Sequence, residues 1–135
     1  MKPVNIGGHS AYQDRVLTQL RKYYPNAASL SSSTWQIIDK FWNLNLSQVD
    51  ELMKDRYSVF GPEPRLPSDM LRAILVSAAF KITSYTRFAA DLKGNPLHAI
   101  ISGFFVGDTP GVGTFYDFHR RLWLSSDKNL TNAVH

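Results

Sequence analysis

The segment 114–123 combines cationic, hydroxyl and large apolar side chains at helical spacing. Phe115, Phe118 and Leu122 are predicted to form one apolar stripe, which leaves the polar side chains around the remaining surface. Arginine can form a bidentate contact with guanine or hold a phosphate, and short polar residues at a helix N-terminus suit phosphate contact. The candidate DNA-contacting residues are Arg120, Arg121, His119 and Thr114, together with Arg87 and Lys93 on the preceding helix.

Each of these side chains also has a structural interpretation. Arg121 can pack its aliphatic stem on the core and expose only its head. Tyr85 and Tyr116 can contact sugar or phosphate, or equally serve as core aromatics with a hydrated hydroxyl. The three tryptophans are predicted to be core anchors, and they are Trp35, Trp42 and Trp123.

Neither a metal site nor a cofactor site is expected. The four histidines (residues 9, 98, 119 and 135) lie far apart, and none has the i, i+4 spacing of a helical zinc pair. The glycine-rich segment 110–114 lacks the lysine of a phosphate-binding loop, and its sequence predicts a turn that leads into a helix N-terminus. No catalytic residues are assigned.

Three predicted helical segments position the segment 114–123. The first, 67–81, has Pro67 and Asp69 in its first turn, and its predicted buried face comprises Met70, Leu71, Ile74, Leu75, Ala78 and Ala79. The second begins at Ser84, a capping residue, and ends at Lys93, with Gly94 as a left-handed stop. A short segment, 97–102, follows and is closed by Gly103.

The N-terminal half is predicted to be helical too. A capping box, Ser10-x-x-Gln13, precedes a helix that Pro25 closes, and Ser33 or Thr34 caps the segment 35–42. A second capping box, Ser47-x-x-Asp50, begins the segment 49–57. The sequence therefore predicts a single all-α domain, 1–135, of about five to six helices. Its parts are a loose tail (1–9), a Pro-rich internal turn (61–67), a helix-turn-helix-like core (66–124) and a C-terminal tail (125–135).

Composition is compatible with a DNA-binding protein but does not require one. The net charge is +4, and neither half of the chain is strongly basic, so a DNA contact depends on where individual charges lie. There are no cysteines, which excludes disulfides and favours a reducing, cytoplasmic location. The sequence has no apolar run of 18 residues, so we expect no contact with a membrane.

Several short motifs also recur in a known family. They are Pro67, Met70-Leu71-Arg72, Ser84-Tyr85-x-Arg87-Phe88, Asn95-Pro96, Gly103-Phe104 and Pro110-Gly111-Val112-Gly113-Thr114-Phe115-Tyr116-Asp117-Phe118-x-x-Arg121-Leu122. Together they resemble the N-terminal domain of bacterial insertion-sequence transposases of the DDE type. The resemblance covers residues 43–123, and its most specific part is the run 110–122.

The resemblance implies a helical module that binds double-stranded DNA at the ends of the element. Full-length members continue into a ribonuclease-H-like domain that carries three metal-binding carboxylates. Because the sequence ends at His135, we expect a transposase truncated before its catalytic domain, or an isolated domain, that is not itself an enzyme. A homo-oligomer and a separate catalytic domain or chain are compatible partners. The alternative function is a helical protein-interaction or oligomerisation domain without direct DNA binding.

Overall fold

Helices form the regular structure of this chain. The computed structural model describes the backbone of residues 8–54 and 65–134, and the side chains of residues 8–54 and 65–123. In chain order the α-helices are α1 (Gly8–Tyr23), α2 (Ser32–Trp42), α3 (Ser47–Leu52), α4 (Pro67–Ala79), α5 (Tyr85–Gly94), α6 (Pro96–Ser102) and α7 (Val112–Val134). The all-α prediction is confirmed, with seven helices in these ranges where five to six were expected. The short segments α3 and α6 each form a helix of their own.

Local sequence explains where the C-terminal helices begin and end. The Ser84 side chain caps α5 by accepting a hydrogen bond from the backbone nitrogen of Arg87 at 3.3 Å, as predicted. The Asn95 side chain caps α6, and Pro96 occupies the first turn of that helix, where a missing N–H costs nothing. Gly103 ends α6 in the left-handed conformation, with φ of 95°.

Two predicted N-terminal capping boxes are absent, because their side chains bind other helices. The Gln13 side chain donates to the carbonyl of Trp42 at 3.0 Å, and α1 begins at Gly8, so Ser10 lies inside the helix. The Asp50 carboxylate accepts hydrogen bonds from the backbone nitrogen and the hydroxyl of Ser68, at 2.7 and 2.8 Å. Asp50 of α3 therefore caps α4 rather than its own helix.

Other predicted boundaries are also corrected. Ser31, rather than Ser33 or Thr34, caps α2. Gly94 is the last residue of α5 without a left-handed φ, because Asn95 follows it and starts α6 directly. Helix α7 continues past residue 123 to Val134, so most of the predicted tail 125–135 is helical. Residues 8 and 9 of the predicted tail 1–9 belong to α1, while residues 1–7, 55–57 and 61–64 lie outside the described part of the chain.

The buried face of α4 is rotated from the predicted one. Its fully covered positions include Met70, Ala73 and Val76, as well as the charged Arg72, whereas Leu75 is exposed. The predicted buried face included Leu71 and Leu75, because the apolar periodicity on which it was based assigns every charged side chain to solvent. The rotation follows from the partners that enclose Arg72.

Those partners come from α1 and from the first turn of α4. Arg72 is 2% exposed, and its guanidinium carbon lies 3.8 Å from the centre of the Tyr12 ring. Its Nη1 donates to the Asp69 carboxylate at 2.6 Å, and the same carboxylate oxygen accepts from Arg15 at 3.1 Å. Burial of a charge is tolerated where an opposite charge and an aromatic face replace water.

Helix α1 is also joined to the end of α6 by side-chain hydrogen bonds to backbone carbonyls. The bonds are Tyr12 Oη to Ile101 O (2.6 Å), Arg15 Nε to Gly103 O (2.8 Å) and Gln19 Nε2 to Phe104 O (2.8 Å). Residues that are more than 80 positions apart in the chain are thereby held in contact. The N-terminal helix is an integral part of the fold.

We predict that Gly103→Ala destabilises the protein strongly while Gly94→Ala does not. An added Cβ at Gly103 would lie 2.9 Å from the Tyr12 ring and 3.0 Å from the Arg72 guanidinium, and the left-handed backbone alone costs roughly 1–2 kcal/mol for a residue with a Cβ. At Gly94 nothing lies within 4 Å of the added atom. Urea unfolding of both variants measures the difference. Equal stabilities would show that α6 does not pack closely against Tyr12 and Arg72.

We further predict a loss of stability at high pH that depends on Tyr12. Burial raises the pKa of Tyr12 to about 12, so above pH 10 the unfolded chain releases this proton more readily than the folded one. The stabilisation is complete below pH 10 and is lost as pH rises towards 12, by up to about 2–3 kcal/mol. Unfolding free energies measured from pH 9 to 11 should fall for the parent protein and for Tyr116→Phe, which alters an exposed ring. They should fall much less for Tyr12→Phe; parallel curves for all three proteins would contradict the assignment.

Candidate nucleic-acid interface on helices α5 and α7

Helix α7 packs on the core through an inner stripe that ends in an arginine. Phe115 and Phe118 are fully buried, and Arg121, three residues further on, is only 6% exposed. Leu122, which the predicted stripe included, is partly exposed instead. The buried face of α7 therefore consists of Phe115, Phe118 and Arg121, at positions i, i+3 and i+6.

The opposite face of α7 carries what we call the outer stripe: Tyr116, His119, Arg120 and Trp123. At 100° per residue these four side chains fall within an arc of about 100°, on the side of the helix away from the inner stripe. Tyr116 is 55% exposed and Trp123 is 54% exposed. Trp123 is thus a surface residue, and the prediction that it anchors the core is wrong.

Tyr85 of α5 connects the outer stripe to the core. Its ring stacks on the buried Phe115 ring at a centroid distance of 5.6 Å and meets the Tyr116 ring edge-on at 5.2 Å. Its hydroxyl is 2.7 Å from Nδ1 of His119, and the His119 ring lies 5.9 Å from that of Trp123. Burial raises the pKa of Tyr85, so the hydroxyl is protonated at neutral pH. The rings of Tyr116, Tyr85, His119 and Trp123 therefore lie in one series of contacts, and Tyr85 packs this series on the buried Phe115 ring.

Asp117 holds the two neighbouring arginines in different environments. Its carboxylate is 2.6 Å from Arg120 and 3.0 Å from Arg121. The Arg120 side chain is 71% exposed, and an exposed pair of this kind contributes only about 0.2–1 kcal/mol, so Arg120 can exchange Asp117 for another anion at small cost. The Arg121 side chain is buried, while Asp117 is partly exposed. Arg121 therefore packs on the core, but its head is buried as well, whereas the sequence-based interpretation exposed the head to solvent.

Two of the other predicted DNA-contacting residues face away from the outer stripe. Thr114 is half-buried and lies about 120–180° around α7 from the stripe residues. Arg87 is exposed on α5 and lies about 160° around that helix from Tyr85, so it faces away from α7. Lys93 is exposed near the C-terminal end of α5. Of the six candidates, the outer stripe contains His119 and Arg120.

The exposure of Tyr116 and Trp123 was predicted only in part, although their spacing contained the signal. Residues 116, 119, 120 and 123 follow the i, i+3, i+4, i+7 pattern of one helix face. Tyr116 was left open between a sugar or phosphate contact and the core, and Trp123 was assigned to the core. With Phe115 and Phe118 on the buried face, both rings lie on the exposed side of α7.

A concave surface lies between α1 and α2. It encloses about 470 Å³, and its apolar walls are Leu17, Leu20, Tyr24, Trp35, Ile38 and Trp42. The Trp35 indole donates a hydrogen bond to the carbonyl of Ala27 at 3.0 Å. Trp35 is partly exposed along this groove, so it is not the core anchor that was predicted.

Within the described residues, no three or more His, Cys, Asp or Glu side chains are grouped so that they could hold a metal ion. Among the described helices, none is both long enough and apolar enough to span a bilayer.

Comparisons with protein-family models, with curated proteins and with solved structures found no match for this chain.

Proposed function

We propose that this protein is a DNA-binding module of an insertion-sequence transposase, and that it binds duplex DNA at the ends of the element. The observation that carries the proposal is the outer stripe of α7, in which exposed Arg120 and His119 stand beside exposed aromatic rings. The most specific part of the resemblance to such transposases, the run 110–122, extends into the same helix and includes Tyr116 of this stripe.

Arg120 is the central contact in this proposal. Phosphate would replace Asp117 as its partner, since the exposed ion pair costs little to open. The positive net charge of +4 favours approach to DNA. His119 lies next to Arg120 and presents a second hydrogen-bonding group, while Tyr85 fixes the orientation of its ring through Nδ1.

This module would act together with a separate catalytic domain or chain. Strand cleavage and joining would require converging carboxylates in a separate catalytic domain or chain, with metal ions supplied there. The module itself would contribute binding, and the element's DNA places it in the bacterial cytoplasm. Self-association of the module is compatible with this arrangement.

A second candidate function is a protein-interaction or oligomerisation domain. The exposed Tyr116, Trp123 and Arg120 favour it, because tyrosine, tryptophan and arginine dominate the energetics of protein interfaces. In that case the outer stripe would bind a second protein surface, and the affinity would depend on the apolar area that the interface buries. Salt dependence separates the two candidates, since phosphate contacts release counterions.

We predict that Arg120→Ala weakens duplex binding and reduces the slope of log affinity against log salt concentration by about one. The fold should be unaffected, since an exposed arginine contributes little to stability. Lys40→Ala is the matched control, because Lys40 is exposed on α2 and its loss removes the same charge. Fluorescence anisotropy with a labelled duplex at several salt concentrations gives both slopes.

Equal slopes for Arg120→Ala and Lys40→Ala would remove the outer stripe from the duplex-binding surface. Absence of duplex binding by the parent protein, together with self-association that salt does not weaken, would favour the second candidate function.

A further inference from the structure

We infer that the outer stripe stacks on unpaired bases of a DNA strand, so that the ligand includes a frayed or flipped segment and not only continuous duplex. This inference rests on the proposed DNA-binding function and names the form of DNA that the exposed rings fit. It follows from the exposure of the rings, their spacing and their charged neighbour.

The rings that are available for stacking belong to Tyr116 and Trp123. More than half of each residue is accessible to solvent, an arrangement that leaves two large apolar side chains in contact with water. Base–aromatic stacking is the common means by which proteins bind single strands, and it tolerates any base sequence because each base has a π-face. In continuous duplex those faces are covered by neighbouring bases.

The two accessible rings lie on one face of α7, seven residues apart. A rise of 1.5 Å per residue separates positions 116 and 123 by about 10.5 Å along the helix axis. The His119 ring lies between these positions in the chain, 5.9 Å from the Trp123 ring. An unstacked strand can place separate bases against the two rings, whereas a continuous duplex presents only base edges in its grooves.

Charge complementarity points to a nucleic acid as the occupant. Arg120 lies between the rings on the same arc of the helix, with its side chain 71% exposed. A cation interleaved with aromatic rings is the composition that single-strand binding surfaces share, since the backbone phosphates need a partner while the bases stack. Asp117, which now pairs with Arg120, is itself neutralised by the buried Arg121.

The test compares three probes of one length: a single-stranded oligonucleotide without self-complementarity, a strand that is abasic at every position, and a duplex. The abasic strand keeps every phosphate and lacks the π-faces. The variants are Trp123→Ala, Trp123→Phe, which keeps a ring, and Leu122→Ala as a control on the adjacent partly exposed position. Circular dichroism checks that each variant is folded.

The parent protein should bind the intact strand more tightly than the abasic one. Trp123→Ala should weaken binding of the intact strand about 5- to 100-fold, while its affinity for the abasic strand stays unchanged. Trp123→Phe should recover most of the loss, and Leu122→Ala should behave like the parent protein.

Equal affinity of the parent protein for the intact and abasic strands would overturn the inference. If the protein still bound the duplex in that case, the proposed function would stand. An equal effect of Trp123→Ala on both strands would overturn it as well. Failure to bind any of the three probes would overturn the proposed function and the inference together. Self-association that Trp123→Ala abolishes, without an effect on DNA, would assign the stripe to a second copy of the chain.

Discussion

The burial of Arg72 is the constraint on which the rest of this structure depends. A guanidinium removed from water requires an opposite charge and hydrogen-bond acceptors, and loss of one partner of a buried pair typically costs about 3–5 kcal/mol. Asp69 supplies the charge from the same helix, and Tyr12 supplies its ring from α1. Because these partners lie on separate elements, the need to satisfy Arg72 fixes α1 against α4.

The connector between α6 and α7 starts beside the same cluster. Gly103 allows the chain to pass close to Tyr12 and Arg72 at the end of α6. Beyond it, Arg65 contacts the Phe104 ring at 5.3 Å and binds the Asp108 carboxylate at 3.0 Å, which anchors the connector to the start of α4. Helix α7 then packs through Phe115, edge-on to Phe88 of α5 at 5.7 Å. The outward orientation of the outer stripe is therefore a consequence of how the core is assembled.

Sequence reasoning succeeded where the determining interactions are local. Ser84 and Gly103 act through residues within a turn of themselves, so the start of α5 and the end of α6 were predicted correctly. It failed where the determining partner is distant in the chain. The burial of Arg72 depends on Tyr12, 60 positions earlier, and the capping carboxylate of α4 comes from Asp50 on α3. The exposure of Trp123 follows from the buried inner stripe, which ends in Arg121 rather than in Leu122 as periodicity suggested.

The candidate site was predicted in part for the same reason. A basic, aromatic helix can be recognised from composition, and His119 and Arg120 were named from it. Which of its faces is exposed depends on the packing of α5 and α7, and that packing buries Arg121 and turns Thr114 away from the other candidates. The exposed rings were predicted less well: Tyr116 was left open between a DNA contact and the core, and Trp123 was assigned to the core, because a large aromatic side chain is more often buried than exposed.

The indole N–H resonances of the three tryptophans, followed by NMR during titration with DNA, show which surface of the protein binds the DNA. Trp123 belongs to the outer stripe, whereas Trp35 and Trp42 line the groove between α1 and α2. We expect the Trp123 resonance to shift progressively while the other two stay in place. A shift of Trp35 or Trp42 with Trp123 unchanged would contradict it and would move the DNA-binding surface to the groove.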